Sequence, residues 1–156
     1  MADLDTDVWD VDFSVSKSVR YHSYMRSYWD AADHWNKVLT LISGAAVFVS
    51  FLKKVDWLEP WVAAAVVVLS ALDIVFGFSD HARAHNSLYR QFCKLAQEIA
   101  GTVSPSADDV ARWRAQRLAI ETEEPGIWEW LNRRCYREEG KARKVNSAII
   151  EGLLKA

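Results

Sequence analysis

Two apolar stretches dominate the pattern of hydrophobic and polar positions. Residues 38–52 run without a charge, and residues 61–78 carry Asp73 as their only one. Between them lies Lys53-Lys54-Val55-Asp56-Trp57-Leu58-Glu59-Pro60. At ~1.5 Å per residue the two runs reach roughly 22 and 27 Å, against a hydrocarbon core of about 30 Å. Flanking residues make up the difference. Lys37, Lys53 and Lys54 have stems long enough to lift their charges to the interface, and Trp35, Trp57 and Trp61 stand where an aromatic belt would anchor the helices. A helix of a soluble bundle would show polar residues every third or fourth position. Residues 38–52 offer only Thr40, Ser43, Gly44 and Ser50, and residues 63–69 offer none. The pattern therefore predicts a hairpin of two membrane-spanning helices, at about residues 36–54 and 59–78.

Helical periodicity continues on both sides of the hairpin. Tyr21, Met25, Tyr28, Ala32, Trp35 and Leu39 recur at steps of 4 and 3 ahead of it, and His85, Leu88, Phe92, Leu95 and Ile99 do so beyond it. Two such seams leaving the membrane on one side predict an all-α fold: the hairpin extends as an antiparallel cytoplasmic stalk over residues 15–100, ended by Gly101 and Pro105. Folding about the loop sets residue i opposite roughly 113 − i. Arg83 then meets the level of Asp30 and Asp33, which predicts a charge pair at the membrane exit. Residues 1–14, with acids at 3, 5, 7, 10 and 12, read as a mobile tail. In residues 101–156, Ser106 caps a helix reaching about Glu123, Pro125 opens a second, and a third follows Gly140. These shorter amphipathic helices are expected to fold against the stalk.

Charge sets the orientation. Arg20, Arg26, Lys37, Arg83, Arg90 and Lys94 lie on the side of the termini, against Lys53 and Lys54 in the loop, which puts both termini in the cytoplasm. The net charge of −2 gives no reason to expect nucleic acid as a partner. Cys93 and Cys135 match no disulfide or zinc framework and suit a reducing compartment.

Candidate chemistry is sparse. No nucleophile motif, glycine-rich phosphate loop or pair of catalytic carboxylates is found, so neither an enzyme nor a cofactor is expected. Asp73 inside a bilayer would cost ~2.5–3.5 kcal/mol on insertion scales, and it requires a partner or water. Either it bonds Lys37, Asn36 or Thr40, or it lines an aqueous path with Thr40 and Ser43. His81 and His85 share a helix face at i, i+4, and His22 and His34 lie on the opposite helix. Interhelical hydrogen bonds are one use of that set; zinc binding or proton sensing are others. Asp30, Asp33, Lys37 and Arg83 complete the juxtamembrane polar cluster. Gly44, Ala45 and Ala46, with Ala63, Ala64 and Ala65, would let helices approach closely and oligomerise. Arg133, Arg134, Arg137, Lys141, Arg143 and Lys144 make the last third basic: a solvated face, or one for lipid headgroups or a nucleotide.

Arg20-Tyr21-His22, the stretch Ala71-Leu72-Asp73-Ile74-Val75-Phe76-Gly77-Phe78-Ser79, and His85, Leu88, Tyr89 and Phe92 together resemble the SLATT family, the SMODS- and SLOG-associating two-transmembrane effector domains. Arg117-Leu118-Ala119-Ile120-Glu121, Glu124-Pro125 and Leu131 to Cys135 resemble the tail of one standalone branch, which has His after the cysteine where this chain has Tyr136. The likeness covers roughly residues 15–138. It implies a multi-pass protein of the bacterial inner membrane, acting as an effector in anti-phage or other conflict systems. A nucleotide signal or separately encoded sensor protein would trigger homo-oligomeric hairpins to breach the membrane, so that an infected cell stops growing before phage mature. Asp73 would be carried over as an intramembrane family position, His22 and His85 as juxtamembrane ones. A non-conducting, membrane-anchored module that recruits a partner is the competing expectation.

Overall fold

The computed structural model describes residues 2–44 and 59–145. Among them the chain is all-helical: α1 (Ala2–Gly44), α2 (Glu59–Phe76), α3 (Phe78–Gly101), α4 (Ala107–Glu121) and α5 (Glu129–Ala142). The expected first span is described only to Gly44, where α1 ends; the rest of it, the connecting loop and Trp57 lie outside the described residues. The chain divides into two compact units, one of Met1–Met25 with His85–Ala156 and one of Arg26–Ala84.

In the first unit α1, α3 and α4 share a core. Val11 and Val15 pack with Leu88, Phe92, Leu95, Ile99, Val110, Trp113 and Ile120, and Leu4 and Val8 lie against it. The α3 seam read from the sequence is buried at every position from His85 to Ile99. Residues 1–14, expected as a mobile tail, are corrected: α1 begins at Ala2. Leu4, Val8, Val11 and Val15 repeat at helical spacing, while acids on the other faces find bases, Asp7 with Arg114 and Asp12 with Arg143 (2.7 Å). The α1 seam is corrected in part. Its Tyr21 and Met25 are buried, with Ser18 and His22 beside them, whereas Tyr28, Trp35 and Leu39 are exposed and Asn36 is buried in place of Trp35.

Ser106 caps α4 as expected, in a reciprocal pair. The Asp109 amide donates to Ser106 Oγ (3.2 Å), and the Ser106 amide donates to Asp109 Oδ2 (2.9 Å). Pro125 does not open the next helix; residues 124–128 form no regular element, and α5 starts at Glu129 with the extended Trp128 as its N-cap residue. Gly140 does not end a helix either. It is buried inside α5, whose end is a Schellman motif: the Val145 amide donates to Gly140 O (2.9 Å) and the Lys144 amide to Lys141 O (3.0 Å). Lys144, at φ 57°, stands where glycine usually does.

The second unit holds α2. The helical stretch Ala64–Gly101 contains an 18-residue apolar window, and none of that window is buried inside the chain. It is the one stretch among the described residues long and apolar enough to cross a membrane by length and composition. Gly77, at φ 53°, separates α2 from α3, and its amide still donates to Asp73 O (3.0 Å).

Candidate functional site

The polar cluster with the most developed geometry is in the first unit. The periodicity of α1 and α3 turns His22 and His85 toward each other, and both are 1% exposed. Their Nδ1 atoms lie 3.0 Å apart, and His22 Nε2 lies 2.9 Å from Glu124 Oε1. An ionised carboxylate only accepts, so His22 Nε2 carries a proton and donates to Glu124. One of the two Nδ1 atoms donates to the other, so Glu124, His22 and His85 form one buried hydrogen-bonded chain.

Aromatic rings hold the chain in place. The His22 ring stacks on Phe92 (5.3 Å, 12°), and Tyr21 packs edge-on against it. Tyr21 is fixed by the Trp128 amide, which donates to its hydroxyl (2.9 Å), while burial pushes its pKa up. Glu124 and Tyr21 also line a cavity of about 420 Å³ with Lys17, Pro125 and Ile127, so the hydrogen-bonded chain ends at a recess rather than in solid core. A larger groove, about 610 Å³, is lined by Ser16, Arg20, Tyr24, Tyr89, Cys93 and Glu139. Glu139 is nearly buried between Arg20 Nη2 (2.9 Å) and Arg143 Nε (2.8 Å). Burial works to raise its pKa, and the hydrogen bonds from Arg143 and Arg20 outweigh this and leave the carboxyl below its ordinary value. The Cys135 thiol is fully buried and pushed up to about 11, chiefly by burial.

The second unit holds the remaining expected residues. Asp33 accepts from Lys37 Nζ (2.7 Å) and Ser79 Oγ (2.7 Å), and Lys37 also donates to Ser79 Oγ (3.2 Å). The bonds from Lys37 and Ser79 hold the Asp33 carboxyl below the usual range. Arg83 forms its ion pair with Asp80 (3.6 Å), and its charge also reaches Asp33, whose carboxyl it helps to lower; Asp30 is exposed. His81 lies flat on Trp29 (4.7 Å, 20°), while the exposed His34 sits edge-on to Trp35.

Asp73 lies half-buried on α2. Two of its three anticipated partners are engaged elsewhere: Lys37 with Asp33, and Thr40 Oγ1 with the Asn36 backbone carbonyl (2.8 Å). Among the described residues nothing bonds the Asp73 carboxylate. Ala64 and Ala65 are exposed on α2, as are the anchors Trp35 and Trp61. Ser43, Gly44 and Ala63 are described only as helix, and Ala45 and Ala46 lie outside the described residues. No group of three metal donors converges among the described residues.

Glu124 and Ser79 are the residues that sequence reasoning did not assign to a site. Glu124 stands 102 positions from His22, in a connection between helices where no periodicity signals its partner. The chain matches no family model, no curated protein and no solved structure.

Proposed function

We propose that this protein is a non-enzymatic effector of the bacterial inner membrane, related to the SLATT family, whose hairpins oligomerise to form or gate a pore in an anti-phage or conflict system. The observation that carries the reading is the apolar window of α2. Val67, Val68, Ile74 and Val75 are all more than half exposed, with Ile74 at 85%. The core helix of a water-soluble bundle buries such side chains, at roughly 1.5–3 kcal/mol for each large aliphatic residue. Lipid removes the same surface from water without a protein core. In this reading both termini are cytoplasmic, and Asp73 faces water between assembled copies, because an unpaired carboxylate facing acyl chains would be expelled. A separately encoded sensor or a nucleotide signal would act through the folded first unit.

Two experiments test this. Purified protein reconstituted into liposomes releases an entrapped dye once assembled, and Asp73→Leu abolishes release and growth inhibition while the chain stays in the membrane. Liposomes that stay sealed at every assembled size would remove the pore. The second reading, an anchored module that recruits a partner, is favoured by the groove of about 610 Å³ in the first unit. It predicts sealed liposomes and toxicity indifferent to Asp73.

A further inference from the structure

The basic C-terminal third resolves into paired and unpaired cations. Trp130, Arg134, Arg137 and Lys141 follow steps of 4, 3 and 4 along α5, which at about 100° per residue places them within roughly 60° of arc. All four are exposed, and the opposite side of the helix buries Leu131, Cys135 and Glu139. The acids of α5 are already committed: Glu129 to Arg133 (2.9 Å), Glu138 to Arg134 (2.8 Å) and Glu139 to Arg20 and Arg143. Arg137 and Lys141 on the stripe, and Lys144 just beyond it, meet no acid among the described residues. At the N-terminal end of the stripe, Trp130 is 60% exposed and Ile127 52%.

We infer that this face of α5 is a docking surface for an anionic bilayer, with Arg137 and Lys141 over the phosphates and Trp130 at headgroup depth. The inference rests on the membrane reading of α2. Charge complementarity and the aromatic tip argue for a lipid surface: cations without internal partners are attracted to a negative leaflet, and an indole prefers the interface. A chain held by α2 makes the weak attraction of a few cations effective, as two membrane signals act together where one is marginal.

The test uses the full chain in nanodiscs of brominated lipid, with the emission of a Trp130→Phe variant subtracted to isolate Trp130. Bromine should quench Trp130 in discs containing phosphatidylglycerol and much less in discs of phosphatidylcholine alone. Arg137→Glu with Lys141→Glu should return quenching to the neutral-lipid level, since each cation lost weakens the surface attraction about fivefold. High salt should do the same to the unaltered chain. Equal quenching in both lipids, or none in either, overturns the inference, and so does quenching indifferent to the charge reversal. Alkaline carbonate washing of matched liposomes separates the two claims. A chain that resists the wash while Trp130 stays unquenched refutes the docking face alone, and a chain that washes off refutes the membrane reading with it.

Discussion

His22 is a polar side chain in a place where pattern reading expects an apolar one, and its partners make the position tolerable. It shares its stripe with Ser18 and Asn36, both buried. A search for apolar residues at helical spacing finds Tyr21 and Met25, which are buried, passes over His22 and Asn36, and goes on to Tyr28, Trp35 and Leu39, which are exposed. Replacing His22 by Phe would keep the stack on Phe92 but remove the hydrogen bonds that His22 makes with the Glu124 carboxylate and His85 Nδ1. A buried group left without its partner costs about 1–3 kcal/mol, more when charged. His22→Phe should therefore lower unfolding stability by roughly 2–4 kcal/mol in a chemical denaturation series. His22→Phe with Glu124→Leu should recover part of that loss, and a strictly additive double variant would show the two groups to be uncoupled. Glu139 carries a separate pH signature. Its folded pKa is depressed, so its stabilisation is fully present above the ordinary carboxylate value near 4.5 and is lost as pH falls through the lower folded value. Glu139→Gln should cost about 1.5–3 kcal/mol at neutral pH and flatten the acid limb of the stability profile. An unchanged acid limb would place the acid sensitivity elsewhere.

At the scale of elements, what could be read depended on whether burial followed hydrophobicity. The α3 seam from His85 to Ile99 was legible because its buried stripe is mostly apolar. The α4 cap was legible because Ser106 and Asp109 form a local motif. The first turns of α1 were masked by five acids, although Leu4, Val8, Val11 and Val15 keep helical spacing beneath them. Glycine and proline misled in the tail. Pro125 lies in the connection between α4 and α5 that presents Glu124 to His22, and Gly140 is enclosed within α5, where its carbonyl accepts the closing bond from Val145. Since Lys144 occupies the left-handed position of that closure, Lys144→Gly should relieve about 1 kcal/mol of backbone strain. A thermal melt that fails to rise would mean the strain is already relaxed. The His22–Glu124 contact was beyond sequence reasoning, because only the folded first unit brings those segments together.

For the whole molecule, the two units present different surfaces. The first is a helical core with a buried hydrogen-bonded chain, a groove and a cationic face on α5. The second presents α2, whose apolar window finds no cover among the described residues, with Asp73 in its length. Everything proposed for function follows from what surrounds that window. The direct measurement is alkaline carbonate extraction of membranes from cells making the full chain, followed by centrifugation. The account predicts that the protein stays in the pellet with integral membrane proteins and leaves it only in detergent. Recovery in the supernatant, as a compact monomer in plain buffer, would contradict it.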